Sequence, residues 1–127
     1  MTGETKLLPA VLVVEDEPLI RMEAVDMIED AGFRVYDVGS ADAAVVLLER
    51  HDDIGILFTD INMPGSMDGL QLATCVKDRW PSVGIVIASG IIDYKEMELP
   101  KGASIFPKPY PTDKIAKALS DIVAGIA

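Results

Sequence analysis

Five side chains of this chain could together do chemistry on a phosphoryl group. Two acids stand side by side at Glu15-Asp16, a third at Asp60, a hydroxyl at Ser89 and an amine at Lys108. Each follows a short apolar run. Carboxylates gathered at one place repel and raise one another's pKa unless a cation sits among them. Mg²⁺ suits such a set, because it takes oxygen ligands in an octahedron, commonly one or two carboxylates, and leaves positions for water and phosphate oxygens. Asp16 and Asp60 are assigned as direct ligands and Glu15 as a ligand through water, with the backbone carbonyl of Asn62 as a further protein oxygen. A carboxylate is also a nucleophile that can form an aspartyl-phosphate, and Asp60, at the end of the middle run, is the candidate. Phosphoryl transfer asks chiefly for positioning and for neutralised charge. The Lys108 ammonium supplies a point charge for one phosphoryl oxygen. The Ser89 hydroxyl donates to another, and its rotation draws the following loop inward.

These residues meet only if the chain gathers them. Val11 to Val14 is a continuous apolar run, as a strand covered on both faces requires. A helix is expected over about 18–31, with Pro18 in its first turn and Gly32 ending it. Phe33 to Val38 reads as a second strand, and Ser40 as the cap of a helix running to about His51. Ile54 to Thr59 is a third strand leading straight into Asp60. A loop from Asn62 to Asp68 precedes a helix over Gly69–Arg79 that Pro81 stops. Gly84 to Ala88 is a fourth strand ending at Ser89-Gly90. A weak helix is expected at about 92–98, a fifth strand over Ala103–Pro107, and a last helix capped by Thr112 and running to about Ile126. The order is (βα)₅, which implies an α/β fold with a doubly wound parallel sheet and helices on both faces. Sites in such sheets form beyond the carboxyl ends of the strands, and all five residues lie at those ends.

The motifs resemble those of response-regulator receiver domains, the family that includes the chemotaxis receiver. Val11-Leu12-Val13-Val14-Glu15-Asp16-Glu17-Pro18 resembles the family's acidic-pair segment. Phe58-Thr59-Asp60-Ile61-Asn62-Met63-Pro64-Gly65, with Asp68-Gly69, resembles its phosphoacceptor segment. Ala88-Ser89-Gly90 resembles the switch hydroxyl, and Pro107-Lys108-Pro109-Tyr110 the lysine segment. The resemblance covers about residues 10–125. It implies a flavodoxin-like sheet of order 2-1-3-4-5. It also implies a single-domain response regulator of a two-component or phosphorelay system, phosphorylated on Asp60 by a histidine kinase or a histidine phosphotransfer protein. Such receivers catalyse only their own phosphorylation and dephosphorylation, both with Mg²⁺, and signal to a protein partner through the face made by the weak fourth helix, the fifth strand and the last helix.

Some positions depart from that pattern. Many receivers carry Tyr or Phe three residues before the lysine, and here the position is Ile105. The usual aromatic rotation therefore has no side chain to act through, and Phe106 next door points to the opposite face by strand alternation. The segment from Ser89 to Lys108 is short, and Pro100 limits its helix. Ser89 followed by glycine, with no strand-5 aromatic, resembles an atypical receiver subgroup of alphaproteobacteria. In receivers the residues two beyond the acceptor and two beyond the switch hydroxyl tune water access. Here they are Asn62 and Ile91, and apolar Ile91 implies slow autodephosphorylation.

Composition limits the other readings. The chain has 127 residues, of which 21 are acidic and 11 basic, for a net charge of −10. That balance opposes direct nucleic-acid contact, which needs a basic surface. No apolar run approaches the roughly 18 residues of a membrane span, and the start is a poor signal peptide, so a cytoplasmic protein is expected. One cysteine, Cys75, excludes an internal disulfide and reads as a small core residue. Residues 1–9 read as a flexible leader and 10–127 as the receiver domain, with no output domain after the last helix. A phosphohydrolase working through an aspartyl-phosphate would commonly carry a second acid two residues after its nucleophile, where this chain has Asn62. A degenerate receiver that only binds partners would not need the complete acid, hydroxyl and amine set. His51 reads as a solvated helix-end residue, Glu17 as a helix N-terminal acid, the methionines as core filler, and Tyr110 as packing on the last helix. A cis bond is anticipated at Pro109.

Overall fold

The computed structural model describes residues 8–61, 63, 65, 67–90 and 99–126. Five parallel strands, β1 (Ala10–Val14), β2 (Val35–Val38), β3 (Ile54–Asp60), β4 (Gly84–Ser89) and β5 (Ser104–Pro107), form one sheet of order β2-β1-β3-β4-β5. This is the expected order. Around it lie α1 (Pro18–Asp30), α2 (Ala41–Arg50), α3 (Gly69–Arg79) and α4 (Thr112–Ile126).

Alternation along the strands makes two cores. Leu12, Val14, Leu57, Ile85 and Ile87 face α2 and α3, where they meet Ala44, Leu48, Leu72 and Val76. Val11, Val13, Ile56, Phe58, Val86 and Ala88 face α1 and α4, where they meet Ala24, Ile28, Ile115 and Leu119. A strand buried on both sides has no polar face to show, which is why β1 reads as an unbroken apolar run. Fully burying one such aliphatic side chain contributes about 1.5–3 kcal/mol, so the cores fix the strand register and hence the positions of the residues at the strand ends.

Local signals set the helix ends. The Ser40 hydroxyl accepts from the Ala43 N–H at 3.2 Å and caps α2. Asp68 and Gln71 form a reciprocal capping box at the start of α3. Gly32, at φ +97°, supplies the left-handed residue just beyond α1. Most strand ends fall within a residue of expectation, β5 starting at Ser104 rather than Ala103, and two differences have a clear physical cause. β2 starts at Val35, because Phe33 is buried against the α1 side and its N–H bonds to the Ile28 carbonyl, so it belongs to the end of α1. Thr112 is the first residue of α4 rather than its cap; the first carbonyl in the ladder is that of Pro111, which accepts from Ile115.

Of the leader, Leu8 and Pro9 are described: the Leu8 carbonyl accepts from Arg34, and Pro9 packs over Gly55. Residues 1–7, Asn62, Ile91 and the weak helix expected at 92–98 lie outside the described residues. Among the described residues, no helix is long and apolar enough to cross a membrane.

Candidate functional site

The carboxyl ends of β1, β3, β4 and β5 share one edge of the sheet, and their residues converge there. Register places Val14 beside Thr59, Asp60 beside Ala88, and Ser89 beside Pro107. Glu15, Asp16 and Asp60 each offer a carboxylate oxygen, and these oxygens lie within 4.8 Å of one another. The Lys108 ammonium reaches across from β5, donating to Glu15 Oε1 at 2.9 Å and to Asp60 Oδ2 at 3.0 Å. Ser89 is buried, and its carbonyl accepts from the Lys108 backbone N–H at 3.0 Å. Glu15, Asp16, Asp60, Ser89 and Lys108 therefore stand together; only Asn62, among the predicted site residues, lies outside the described ones.

The two members of the acidic pair differ. Glu15 is buried at 2 % exposure, and each of its polar groups has a partner. Its N–H donates to the Val38 carbonyl and its own carbonyl accepts from Arg21 Nη1. Its Oε1 accepts from Lys108 and its Oε2 from the Glu17 N–H. Asp16 is exposed, and one of its carboxylate oxygens stays within 4.8 Å of those of Glu15 and Asp60. A buried acid held by a cation thus stands beside an exposed acid. Three carboxylate oxygens at this spacing form a hard, all-oxygen donor set of the kind Mg²⁺ takes.

Electrostatics follow the packing. Burial pushes the Glu15 carboxyl above the usual carboxylate range, outweighing the hydrogen bonds from Lys108 and Glu17 that favour its anion. Burial by itself would lower the Lys108 ammonium, but its bonds to Glu15 and Asp60 hold it above its ordinary value. Lys108 is thus a permanent cation wedged between two acids.

Tyr110 completes the wall. The Lys108-Pro109 bond is cis, as anticipated, and Tyr110 then meets the Phe58 ring edge-on at 5.6 Å between centroids. Its hydroxyl is pushed far up by burial and by the charges of Glu15 and Asp60. Tyr110 joins the core that includes Ile115 and Leu119 of α4, but its ring partner is on β3 rather than on the last helix. An open cavity of about 340 Å³, lined by Ile20, Glu23, Lys108, Pro109 and Tyr110, gives access beside the amine. Farther along β5, Ile105 packs on the α2–α3 side and Phe106 on the α1–α4 side, the alternation expected of them.

Two contributors were not singled out from the sequence. Gly69 opens α3 directly behind the acceptor: a Cβ there would collide with the Asp60 carbonyl oxygen, and its N–H donates to the Ile61 carbonyl at 2.8 Å. Its signal was its place in Asp68-Gly69, where the capping box begins. The other is Arg21, whose guanidinium reaches back to the acidic pair.

The sequence model of the response regulator receiver domain matches residues 11–120. The response regulator protein FleR of Pseudomonas aeruginosa is 34 % identical over 117 residues, covering 90 % of this chain and 24 % of FleR. The glycerol metabolism activator of Pseudomonas putida is 30 % identical over 120 residues, covering 91 % of this chain and 54 % of that protein. The chain thus spans between a quarter and about half of these relatives' lengths. A response regulator receiver protein from Sinorhizobium medicae WSM419 superposes with a TM-score of 0.84 at 24 % identity, covering 98 % of this chain and all of that one.

Proposed function

The chain belongs to the response regulator receiver domain family of two-component signalling, and on that premise we propose that Asp60 is its phosphoacceptor, working with Mg²⁺ held by Asp16 and Asp60 directly and by Glu15 through water. The observation that carries this reading is the Lys108 ammonium bridging Asp60 Oδ2 and Glu15 Oε1, with Asp16 alongside. A salt bridge built only for stability would not need a third, exposed acid beside it.

The donor in this reading is a phosphohistidine of a histidine kinase or of a histidine phosphotransfer protein. An Asp60 oxygen attacks phosphorus, the phosphorus–nitrogen bond breaks, and the departing imidazole keeps the electron pair and takes a proton. Bound Mg²⁺ supplies positive charge against the phosphoryl oxygens. Lys108 stays anchored on Glu15 and turns toward a phosphoryl oxygen as Asp60 gives up its charge. Ser89 donates its hydroxyl to another oxygen, and the Asn62 carbonyl is the proposed further metal ligand. The product is a changed surface read by a protein partner. The chain's own chemistry is confined to gaining and losing this group, in the cytoplasm and without contact to nucleic acid.

The test is incubation with acetyl phosphate and Mg²⁺, followed by intact-mass measurement. The wild type gains the mass of one phosphoryl group, the gain needs Mg²⁺, and Asp60→Asn gains nothing. Labelling that persists in Asp60→Asn or without Mg²⁺ would refute the assignment.

A further inference from the structure

We infer that Arg21 is a positioning residue for the metal site: it clamps the peptide between Glu15 and Asp16 and so aims the exposed Asp16 carboxylate at Asp60. The inference rests on the reading of Glu15, Asp16 and Asp60 as a Mg²⁺ site.

Asp16 needs such help. Glu15 is held through its N–H, its carbonyl and both carboxylate oxygens. The Asp16 side chain, in contrast, is exposed, and among the described residues no side-chain partner fixes it. What directs it is the backbone it hangs from. The carbonyl of Glu15 and the N–H of Asp16 belong to one planar peptide, so a bond to that carbonyl sets the plane from which Asp16 departs. The bond comes from Arg21 Nη1 at 3.2 Å.

Arg21 is itself braced. It lies in the first turn of α1, and its Nε pairs with Asp37 Oδ2 of β2 at 3.4 Å. Its Nη1 passes over Gly39, where a Cβ would lie only 2.6 Å away. Gly39 has no positive φ that would demand glycine, so the missing side chain serves the guanidinium. The side chain of Arg21 is 25 % exposed, too covered to be simple surface charge. One fork thus ties α1, the end of β1 and the edge strand β2 to a single carbonyl.

Charge and geometry predict opposite results, which makes the inference decidable. Arg21 is a cation near a cation site. If it acted by charge alone, Arg21→Met would tighten Mg²⁺ binding. As a positioning residue, its loss loosens binding by about tenfold, the lower end of what outer partners of metal ligands contribute. Gly39→Ala keeps every charge and only displaces the guanidinium. It should weaken Mg²⁺ to a similar degree in the wild-type chain and have no further effect in the Arg21→Met background.

The measurement is the Mg²⁺ dissociation constant of the full chain by isothermal titration calorimetry, for wild type, Arg21→Met, Gly39→Ala and the double variant, with far-ultraviolet circular dichroism to show that each is folded. Arg21→Lys should not rescue, since an ammonium cannot span both Asp37 and the Glu15 carbonyl. Mg²⁺ binding that is unchanged or tighter in Arg21→Met overturns the inference while leaving the site intact. So does an additive effect of Gly39→Ala. Should Arg21→Met fail to fold, unchanged binding in Gly39→Ala overturns it alone. A wild-type chain that does not bind Mg²⁺ overturns the site, and the inference with it.

Discussion

Lys108 is the residue on which opposing demands meet. It stabilises two crowded acids, yet on the proposed reading it stands where it would repel the metal that those acids attract. Replacing it with methionine should therefore separate the two effects. Mg²⁺ binding to Lys108→Met should tighten by at least about tenfold, as expected from removing one nearby charge even at a water-like dielectric, while phosphorylation by acetyl phosphate falls. Parallel calorimetric and mass measurements would check this, and equal losses in both would contradict it. At this scale the sequence was most informative. Acids, hydroxyl and amine each follow an apolar strand, so their meeting could be read before any coordinates. Arg21 escaped notice, and Gly69 was read only as part of a motif, because neither carries reactive chemistry of its own at a strand end. Their roles come from what lies across from them in space.

Among the elements, α3 depends on the narrowest tolerance. Its first residue, Gly69, leaves no room for a Cβ against the Asp60 carbonyl. Gly69→Ala should cost about 1–3 kcal/mol as overpacking and should abolish phosphoryl acceptance by moving the acceptor. Urea denaturation together with acetyl phosphate labelling would measure both, and full labelling would show that Asp60 does not depend on this contact. At the other end of the sheet, Arg34 Nη1 donates to Asp53 Oδ2 at 2.6 Å and the Tyr36 hydroxyl donates to the same carboxylate. The Arg34 hydrogen bond, with that of Tyr36, holds the Asp53 carboxyl below its ordinary value of 3.8. A lowered folded-state pKa gives stability that is present above 3.8 and is lost as pH falls through the folded value. Asp53→Asn should thus be less stable than wild type at pH 7, by up to about 1 kcal/mol for so accessible a pair. The gap should close on acidification below 3.8; a gap that is constant with pH would contradict this. The strands and α3 were legible because apolar runs and capping residues state them locally. The start of β2 was not, because Phe33 is as apolar as a strand residue and only the packed core shows it belonging to the end of α1. Cys75, expected in the core, is only half-buried on α3.

For the molecule as a whole, a net charge of −10 and a cluster of acids at one edge would, on the proposed reading, link divalent cation binding to the fold. Mg²⁺ that binds the folded chain alone stabilises it by about 2.7 kcal/mol at one hundred times its dissociation constant. Thermal melts should rise with Mg²⁺ in wild type and much less in Asp16→Asn with Asp60→Asn, at matched ionic strength. Equal rises in both would assign the effect to general screening of surface charge. The architecture was open to inference at this scale, since alternating strands and helices leave few topologies. The parallel order β2-β1-β3-β4-β5 is one of the few that right-handed crossovers allow once both faces must be covered, and the resemblance to receiver domains singled it out among them.

The bond from the Lys108 N–H to the Ser89 carbonyl has a mechanical meaning. It rivets the tips of β4 and β5 together, so the groups proposed to grip opposite sides of the phosphoryl group travel as one piece. A tug at either is exported outward along the chain, through Gly90 on one side and through Pro109 and Tyr110 on the other.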